Sequence, residues 1–113
     1  MAIFKERIKA NGKECNHLEI TLDYSLGGYN YWNGNTDGRG YYLYVTPVSV
    51  GKSEYNGHEY ETVSQILGQG SKMLLKQVAR KSKKAEQESI VLAQEKKDEL
   101  INYVCNKYGI TLS

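Results

Sequence analysis

Two cysteines and two histidines are the side chains best suited to metal or nucleophilic chemistry. Cys15 and His17 lie two positions apart, so on a strand they would point to the same side. A zinc site normally shows two close pairs of ligands, whereas His58 and Cys105 form no second pair. No family-type signature of a cysteine nucleophile surrounds Cys15. A small metal or thiol enzyme around Cys15 and His17 is therefore kept as an alternative, and we expect no enzymatic activity, no cofactor and no metal.

Two glycine-containing segments could hold phosphate. Gly51-Lys52-Ser53 matches the end of a phosphate-binding loop, but that motif needs a glycine at position 46, where the chain has Thr46. It also needs a helix immediately afterwards, and residues 54–57 indicate a turn. Gly68-Gln69-Gly70 lacks the third glycine of the dinucleotide fingerprint, which would fall at Met73. We therefore expect no nucleotide site at Gly51-Lys52-Ser53, and we interpret Gly68-Gln69-Gly70 as a strand-to-helix turn that needs permissive backbone angles.

A basic segment is the strongest functional signal. Residues 62–85 contain 6 basic and no acidic side chains, whereas residues 1–61 contain 6 and 8, and residues 86–113 contain 3 and 5. On a helix, four of these cations would fall within an arc of about 80°. Such a face can contact phosphates or attract an acidic protein, although a lysine face is also an ordinary solvated surface. The expected contact residues on it are Lys72, Lys76, Arg80, Lys83 and Lys84.

A second candidate surface is aromatic. Residues 25–40 contain five glycines and three asparagines around Tyr29, Tyr31 and Trp32. This composition predicts a long loop or a twisted, bulged hairpin tip, because it cannot continue a regular strand. Long loops on a scaffold frequently carry function, so we include these three aromatic residues and Arg39 among the expected contacts.

The first half of the chain is predicted to be β. Alternating apolar and polar residues from His17 to Tyr24 indicate a half-buried strand. Asn11-Gly12 and Asn56-Gly57 supply the positive φ angles that two-residue hairpin turns require. They predict one hairpin joining residues 3–10 to 14–24 and another joining 41–50 to 58–66. Pro47 indicates an edge position or a bulge, because proline has no N–H to donate to a ladder.

The second half is predicted to be helical. Ser71 is placed to cap a helix that continues to about Gln94. A second, shorter helix, separated from the first by a kink or turn near residues 95–98, ends at Gly109. The predicted fold is therefore a single α+β domain over residues 1–113. Its β-meander, residues 1–66, has three or four antiparallel strands, and two C-terminal α-helices within residues 71–108 cover one face.

This arrangement predicts a core in which apolar strand residues meet apolar helix residues. The strand residues are Leu18, Ile20, Leu22, Leu43 and Val45. The helix residues are Leu74, Leu75, Val78, Leu100, Ile101 and Val104, and Cys105 is expected to be a small residue of the same core.

Composition and length limit the class of protein. The 113 residues, 40% of them hydrophobic, suffice for one small core. Apolar runs are too short for a membrane span, so we expect no membrane association. Charges at Lys5, Glu6, Arg7 and Lys9 occupy the place of a secretory apolar stretch, and two cysteines do not make a disulfide framework. These features predict a cytoplasmic protein.

Four runs carry a family resemblance: LGGYNYWNG, RGYYLYVTPV, KMLLKQVARKSKKAE and DELINYVCNKYGI. Over residues 20–109 the chain resembles a family of small proteins from phages and integrative elements of gut Firmicutes. The resemblance implies a cytoplasmic accessory protein of a mobile genetic element, with no catalytic residues to carry over. Such proteins frequently act by binding, for example to a host defence nuclease or to regulatory DNA. This analogy identifies no site.

The function predicted from the sequence is non-enzymatic binding of a macromolecule through the 25–40 loop and the basic helix face. The partner is expected to be a protein or a nucleic acid with an acidic surface. Direct recognition of nucleic acid is the alternative, with Tyr29, Tyr31 and Trp32 stacking on unpaired bases. Self-association through an edge strand or the second helix stays open.

Overall fold

The computed structural model describes residues 3–29, 36–66 and 69–112. Its elements, in chain order, are β1 (Phe4–Asn11), β2 (His17–Ser25), β3 (Gly28–Tyr29), β4 (Thr36–Asp37), β5 (Gly40–Tyr55), β6 (His58–Gln65), β7 (Ser71–Gln77), α1 (Lys83–Tyr108) and β8 (Thr111–Leu112).

Among the described residues, six strands form one antiparallel sheet, in which β6, β5, β2, β1 and β8 follow one another and β7 also pairs with β5. β7 pairs with β5 from Gly40 to Val45, and β6 pairs with it from Val48 to Tyr55. β7 and β6 therefore lie one after the other along the same edge of β5, while β2 occupies the opposite edge. β3 and β4 pair with each other in a separate two-stranded sheet.

The two predicted strand pairs are confirmed, but the two-residue turn predicted at Asn11-Gly12 is wrong, because neither residue has a positive φ and residues 12–16 join β1 to β2. β1 pairs with β2, and β5 pairs with β6 through a two-residue turn. Asn56 and Gly57 have φ angles of 53° and 78°, as the mirror-image hairpin turn requires. The second hairpin is longer than predicted, because β5 continues to Tyr55 rather than ending at residue 50.

α1 covers one face of the sheet, and the core lies between them. The five predicted strand residues of the core are fully buried, and Leu100, Ile101 and Val104 of α1 pack on them. Leu75, Val78 and Cys105 are partly buried against the same cluster. Leu74 is 42% exposed, so its assignment to the core is wrong. It is paired with Tyr42 on the face of the sheet turned away from α1, hereafter the outer face.

The predicted helix from Ser71 to Gln94 is wrong in its first part, because residues 71–77 form β7. Met73 and Leu75 reach the core from a strand that a bulge opposite Tyr41 and Tyr42 interrupts. The local pattern of Lys-Met-Leu-Leu-Lys-Gln fits a helix and a strand about equally. The unpaired edge of β5 decides the outcome, because it offers hydrogen-bond partners to the backbone of this segment.

The predicted kink or turn near residues 95–98 and the separate second helix are also wrong, because α1 is continuous from Lys83 to Tyr108. Its N-cap is Ser82, not Ser71, and the Ser82 hydroxyl accepts a hydrogen bond of 3.1 Å from the Ala85 N–H. Its end at Gly109, with φ of 66°, is as predicted. In the described part of the chain the fold is thus six strands in one sheet and one helix, rather than three or four strands and two helices. One stripe connects both halves of the helix: Ala85, Ser89, Ala93, Leu100 and Val104.

Candidate functional site

The five basic residues expected on one helix face lie on three different elements. Lys72 and Lys76 belong to β7, Arg80 lies in the connection after it, and Lys83 and Lys84 begin α1. The continuous basic helix face is therefore wrong, since it required residues 71–84 to be helical.

Lys72 lies on the outer face. Its ammonium is 4.9 Å from the ring centroid of Tyr42 and 5.9 Å from that of Tyr44. At these distances the cation is attracted to the electron-rich ring faces. The Tyr42 hydroxyl in turn donates a hydrogen bond of 2.6 Å to the Gly38 carbonyl. Lys72 is thus held against the sheet, away from the other four basic residues.

Lys76 lies on the helix side of β7 and forms an ion pair with Glu88 of α1. The hydrogen bond from Lys76 lowers the pKa of the Glu88 carboxyl, and the charges of Lys76 and Lys84 lower it further. The positive charge of Lys76 is therefore matched inside the molecule.

The other four basic residues of the range 62–85 lie together in residues 80–84, which we call the basic segment. They are Arg80, Lys81, Lys83 and Lys84, and they surround the N-cap Ser82. All five residues are exposed. Within the described part of the chain, none of the four cations is in an ion pair. Lys81, which the sequence analysis did not select, lies 5.5 Å above the Tyr24 ring.

The position of the basic segment is electrostatically unfavourable for the chain by itself. The amino end of α1 carries the positive pole of the helix dipole, which favours acidic residues. Glu86 is the acidic residue of the first turn, whereas the basic segment places four cations around the same pole. An anionic group supplied by another molecule would meet both the side-chain charges and the dipole.

Two tyrosines from the sheet hold the basic segment in place. The Tyr24 hydroxyl donates to the Ala79 carbonyl at 3.0 Å. The Tyr41 hydroxyl lies 3.3 Å from the Ser82 N–H, which donates to it, and 3.4 Å from the Ser82 carbonyl. The rings meet edge to face at 5.3 Å. Both tyrosines are thereby engaged with the protein itself, since Tyr41 is buried and Tyr24 half-buried.

A cleft of about 460 Å³ opens between these tyrosines and the first turn of α1. Its lining combines aromatic, hydroxyl and charged groups: Ile3, Asp23, Tyr24, Tyr41, Lys81, Ser82, Lys83 and Glu86. Tyr24 and Tyr41 lie in runs that the sequence predicts to be strands. Their meeting with Ser82 could not be predicted, because it depends on β7 being a strand.

The outer face carries a network of charges that the sequence analysis missed. Glu19 of β2 is 7% exposed and lies 3.5 Å from Lys5 and 3.8 Å from Arg7 of β1. Arg7 also donates a hydrogen bond of 2.6 Å to Glu61 of β6. The spacing of Lys5 and Arg7 by two residues is the sequence signal for this arrangement, because it places both on one face of a strand.

The structure describes only two of the four residues expected to form the aromatic contact surface, Tyr29 and Arg39. Tyr31 and Trp32 lie outside the described residues, Tyr29 contributes its backbone to β3, and Arg39 is exposed before β5. β3 and β4 pair antiparallel, which fits a hairpin tip better than an irregular loop. At the start of β5, Gly40 approaches β7 so closely that a Cβ would lie 2.3 Å from the Lys76 carbonyl oxygen.

Cys15 and His17 are not joined by further metal-ligating side chains in the described residues. The structure shows no group of three or more histidine, cysteine or carboxylate ligands within residues 3–29, 36–66 and 69–112. His17 Nδ1 is 2.9 Å from the Asn16 side-chain oxygen. Burial raises the pKa of the Cys15 and Cys105 thiols, which reduces the thiolate available for nucleophilic chemistry.

Comparison of the chain with protein-family models, curated proteins and solved structures gives no match. No helix in the described ranges combines the length and apolar character that a bilayer crossing demands. The family resemblance carried by the four sequence runs stays a prediction.

Proposed function

We propose that this chain is a non-enzymatic binding protein whose basic segment docks on an acidic surface of another protein. One observation carries the proposal: four cations surround the positive pole of α1, and none is in an ion pair within the described residues. Such an arrangement is unfavourable in the free chain and becomes favourable on contact with negative charge.

A protein partner is favoured over nucleic acid by the distribution of charge and aromatic rings. Nucleic-acid surfaces combine an extended basic track with rings available for stacking. Here Lys72 and Lys76 are held elsewhere, and Tyr24 and Tyr41 are engaged in positioning the basic segment. The exposed tyrosines Tyr55 and Tyr60 stand next to glutamates in the sequence, Tyr55 after Glu54 and Tyr60 between Glu59 and Glu61, and these carboxylates repel phosphate.

The wider context is part of the same proposal. The resemblance suggests a cytoplasmic accessory protein of a mobile genetic element, whose partner would be a host protein such as a defence nuclease. The residues predicted from the sequence, Tyr29, Tyr31, Trp32 and Arg39, would provide a second contact area. This part is tested by Trp32→Ala, which should weaken recovery of the partner while the fold persists.

The proposal is tested by affinity capture from native cells with nuclease-treated extracts. Arg80→Glu with Lys83→Glu reverses two exposed charges of the basic segment. The matched control is Lys9→Glu with Lys13→Glu, which reverses two exposed charges, one near the end of β1 and one in the connection to β2. We expect the first variant to lose the partner and the control to retain it. Equal recovery with both variants, or a partner signal that nuclease abolishes, would overturn a protein contact at this segment.

A further inference from the structure

The second hairpin extends beyond the rest of the sheet as an arm. We define the hairpin arm as residues 49–64, because β2 accompanies β5 only as far as Val48. No residue of the hairpin arm is buried. Its base is fixed by Asn16, whose side-chain amide donates to the Val50 carbonyl and accepts from the Val50 N–H, both at 2.8 Å.

These two hydrogen bonds establish which backbone groups of β6 are directed away from β5. The backbone N–H and C=O of Val50 point toward the β2 side of β5. The backbone N–H and C=O of its cross-strand partner Val63 therefore point away from β5. In an antiparallel ladder, residues two positions apart face the same way. Glu59 and Glu61 therefore also present backbone N–H and C=O groups at the outer edge of β6. β6 is the terminal strand of the sheet as described, with β5 as its partner.

This edge has one of the usual protections of an edge strand, the charges of Glu59 and Glu61. Natural edges are blunted by charged side chains, lysine above all, and by prolines, bulges or a covering segment. β1, near the other side of the sheet, carries Lys5, Arg7 and Lys9 and is partly covered by β8. β6 contains no proline, and its register with β5 is continuous. It exposes Tyr60 and Val63, with 52% and 41% of their surfaces accessible.

The charge of the hairpin arm indicates what could dock there. Glu54 of β5 lies directly opposite Glu59 of β6. Like charges in such cross-strand pairs are destabilising, and no cation within the described residues forms an ion pair with either carboxylate. Glu61, next along the edge, already binds the guanidinium of Arg7. A lysine or arginine beside Glu54 and Glu59 would relieve their repulsion in the same way.

We propose that the outer edge of β6 binds an extended, lysine- or arginine-bearing segment of a partner protein as an added strand. The backbone groups of Glu59, Glu61 and Val63 provide the ladder, and Glu54 and Glu59 select cationic side chains. A second copy fits less well, because two β6 edges would bring glutamates together and Arg7 of β1 is occupied by Glu61. This surface is separate from the basic segment, so the inference goes beyond the proposed function.

The test uses the fluorescein-labelled peptide Thr-Lys-Val-Lys-Val-Lys-Thr as a probe, with a glutamate-for-lysine peptide as its control. We expect saturable binding of the lysine peptide and none of the glutamate peptide. Methylating the alternate backbone amides that face β6 should weaken binding by about tenfold or more, because it removes ladder hydrogen bonds. Equal affinity of the methylated peptide would overturn the proposal, since the contact would then be charge attraction alone.

Variants of the chain locate the contact. Val63→Pro removes an N–H that faces outward, so the hairpin is kept and the probe should bind about tenfold more weakly, whereas Val63→Thr should bind normally. Glu54→Gln with Glu59→Gln should weaken the salt-dependent part of binding. If Val63→Pro fails to fold, the backbone amide NMR chemical shifts of the unmodified protein are compared with and without the lysine peptide. Changes centred on residues 59–63 support the proposal. Changes elsewhere, or sedimentation showing self-association through β6 at the same concentrations, contradict it.

Discussion

Lys76 of β7 and Glu88 of α1 form an ion pair that connects the sheet to its covering helix. Lys76, which would face a partner if residues 71–84 were helical, instead pairs with a carboxylate of the same chain. Lys72 and Lys76 thus make contacts within the chain, while residues 80–84 are exposed.

This ion pair makes stability depend on pH in a defined direction. The pKa of Glu88 is lowered from its ordinary value of 4.5, so the pair stabilises the folded state above that value. The contribution is lost as the pH falls through the lowered folded-state pKa. We expect Glu88→Gln to be slightly less stable than the unmodified protein at pH 7 and equally stable in strong acid. Thermal unfolding across this range measures the difference, and a gap that widens in acid would contradict it.

Neutralising the basic segment should not damage the fold. Arg80→Gln with Lys83→Gln removes repulsion from the positive pole of α1, and we expect stability to be unchanged or raised by about 0.3 kcal/mol or more. Chemical denaturation measures this, with Lys9→Gln and Lys13→Gln as the control. A loss greater than about 1 kcal/mol would assign these cations a structural role instead.

Asn16 should be important for the hairpin arm. Asn16→Ala leaves the N–H and carbonyl of Val50 to water, because both hydrogen bonds are exposed, and we expect a loss of about 0.5–1.5 kcal/mol. Hydrogen exchange should accelerate at Val50 before it does in the core of the sheet. Asn102→Ala, at an exposed position of α1, serves as the control. Unchanged exchange at Val50 would show that the arm is held by other contacts.

Gly40 should tolerate no side chain. A Cβ there would lie 2.3 Å from the Lys76 carbonyl oxygen and 2.9 Å from Leu74, so Gly40→Ala must displace β7 from β5. We expect a loss of about 1–3 kcal/mol, in the range of overpacked sites. At Gly51 the nearest atom is the Thr62 hydroxyl oxygen at 3.3 Å, so Gly51→Ala is the milder control. Equal stability of the two variants would contradict the close approach of β7 to Gly40.

The features that could be predicted from the sequence are those encoded locally. Asn56-Gly57 determines its hairpin through backbone angles, the alternation in β2 determines which residues are buried, and Gly109 ends the helix. Residues 71–77 could not be assigned in this way, because their apolar spacing fits two conformations and the choice depends on pairing with a strand about thirty residues earlier.

The candidate site shows the same division. Composition identifies the basic residues, but the residues that act together depend on whether β7 is a strand. Lys72 and Lys76 then point to opposite faces, with Lys76 toward Glu88 and Lys72 toward Tyr42. The repulsive pair Glu54 and Glu59 likewise becomes visible only when the register of β5 and β6 is known.

Lysine footprinting of the chain in native cell extracts tests the central claim most directly. Amine-reactive labelling is compared between the purified protein and the protein in nuclease-treated extract. We predict that Lys83 and Lys84 are protected in the extract, that Lys9 and Lys13 are labelled equally in both, and that high salt removes the protection. Equal labelling of all four lysines in both samples would contradict docking through the basic segment.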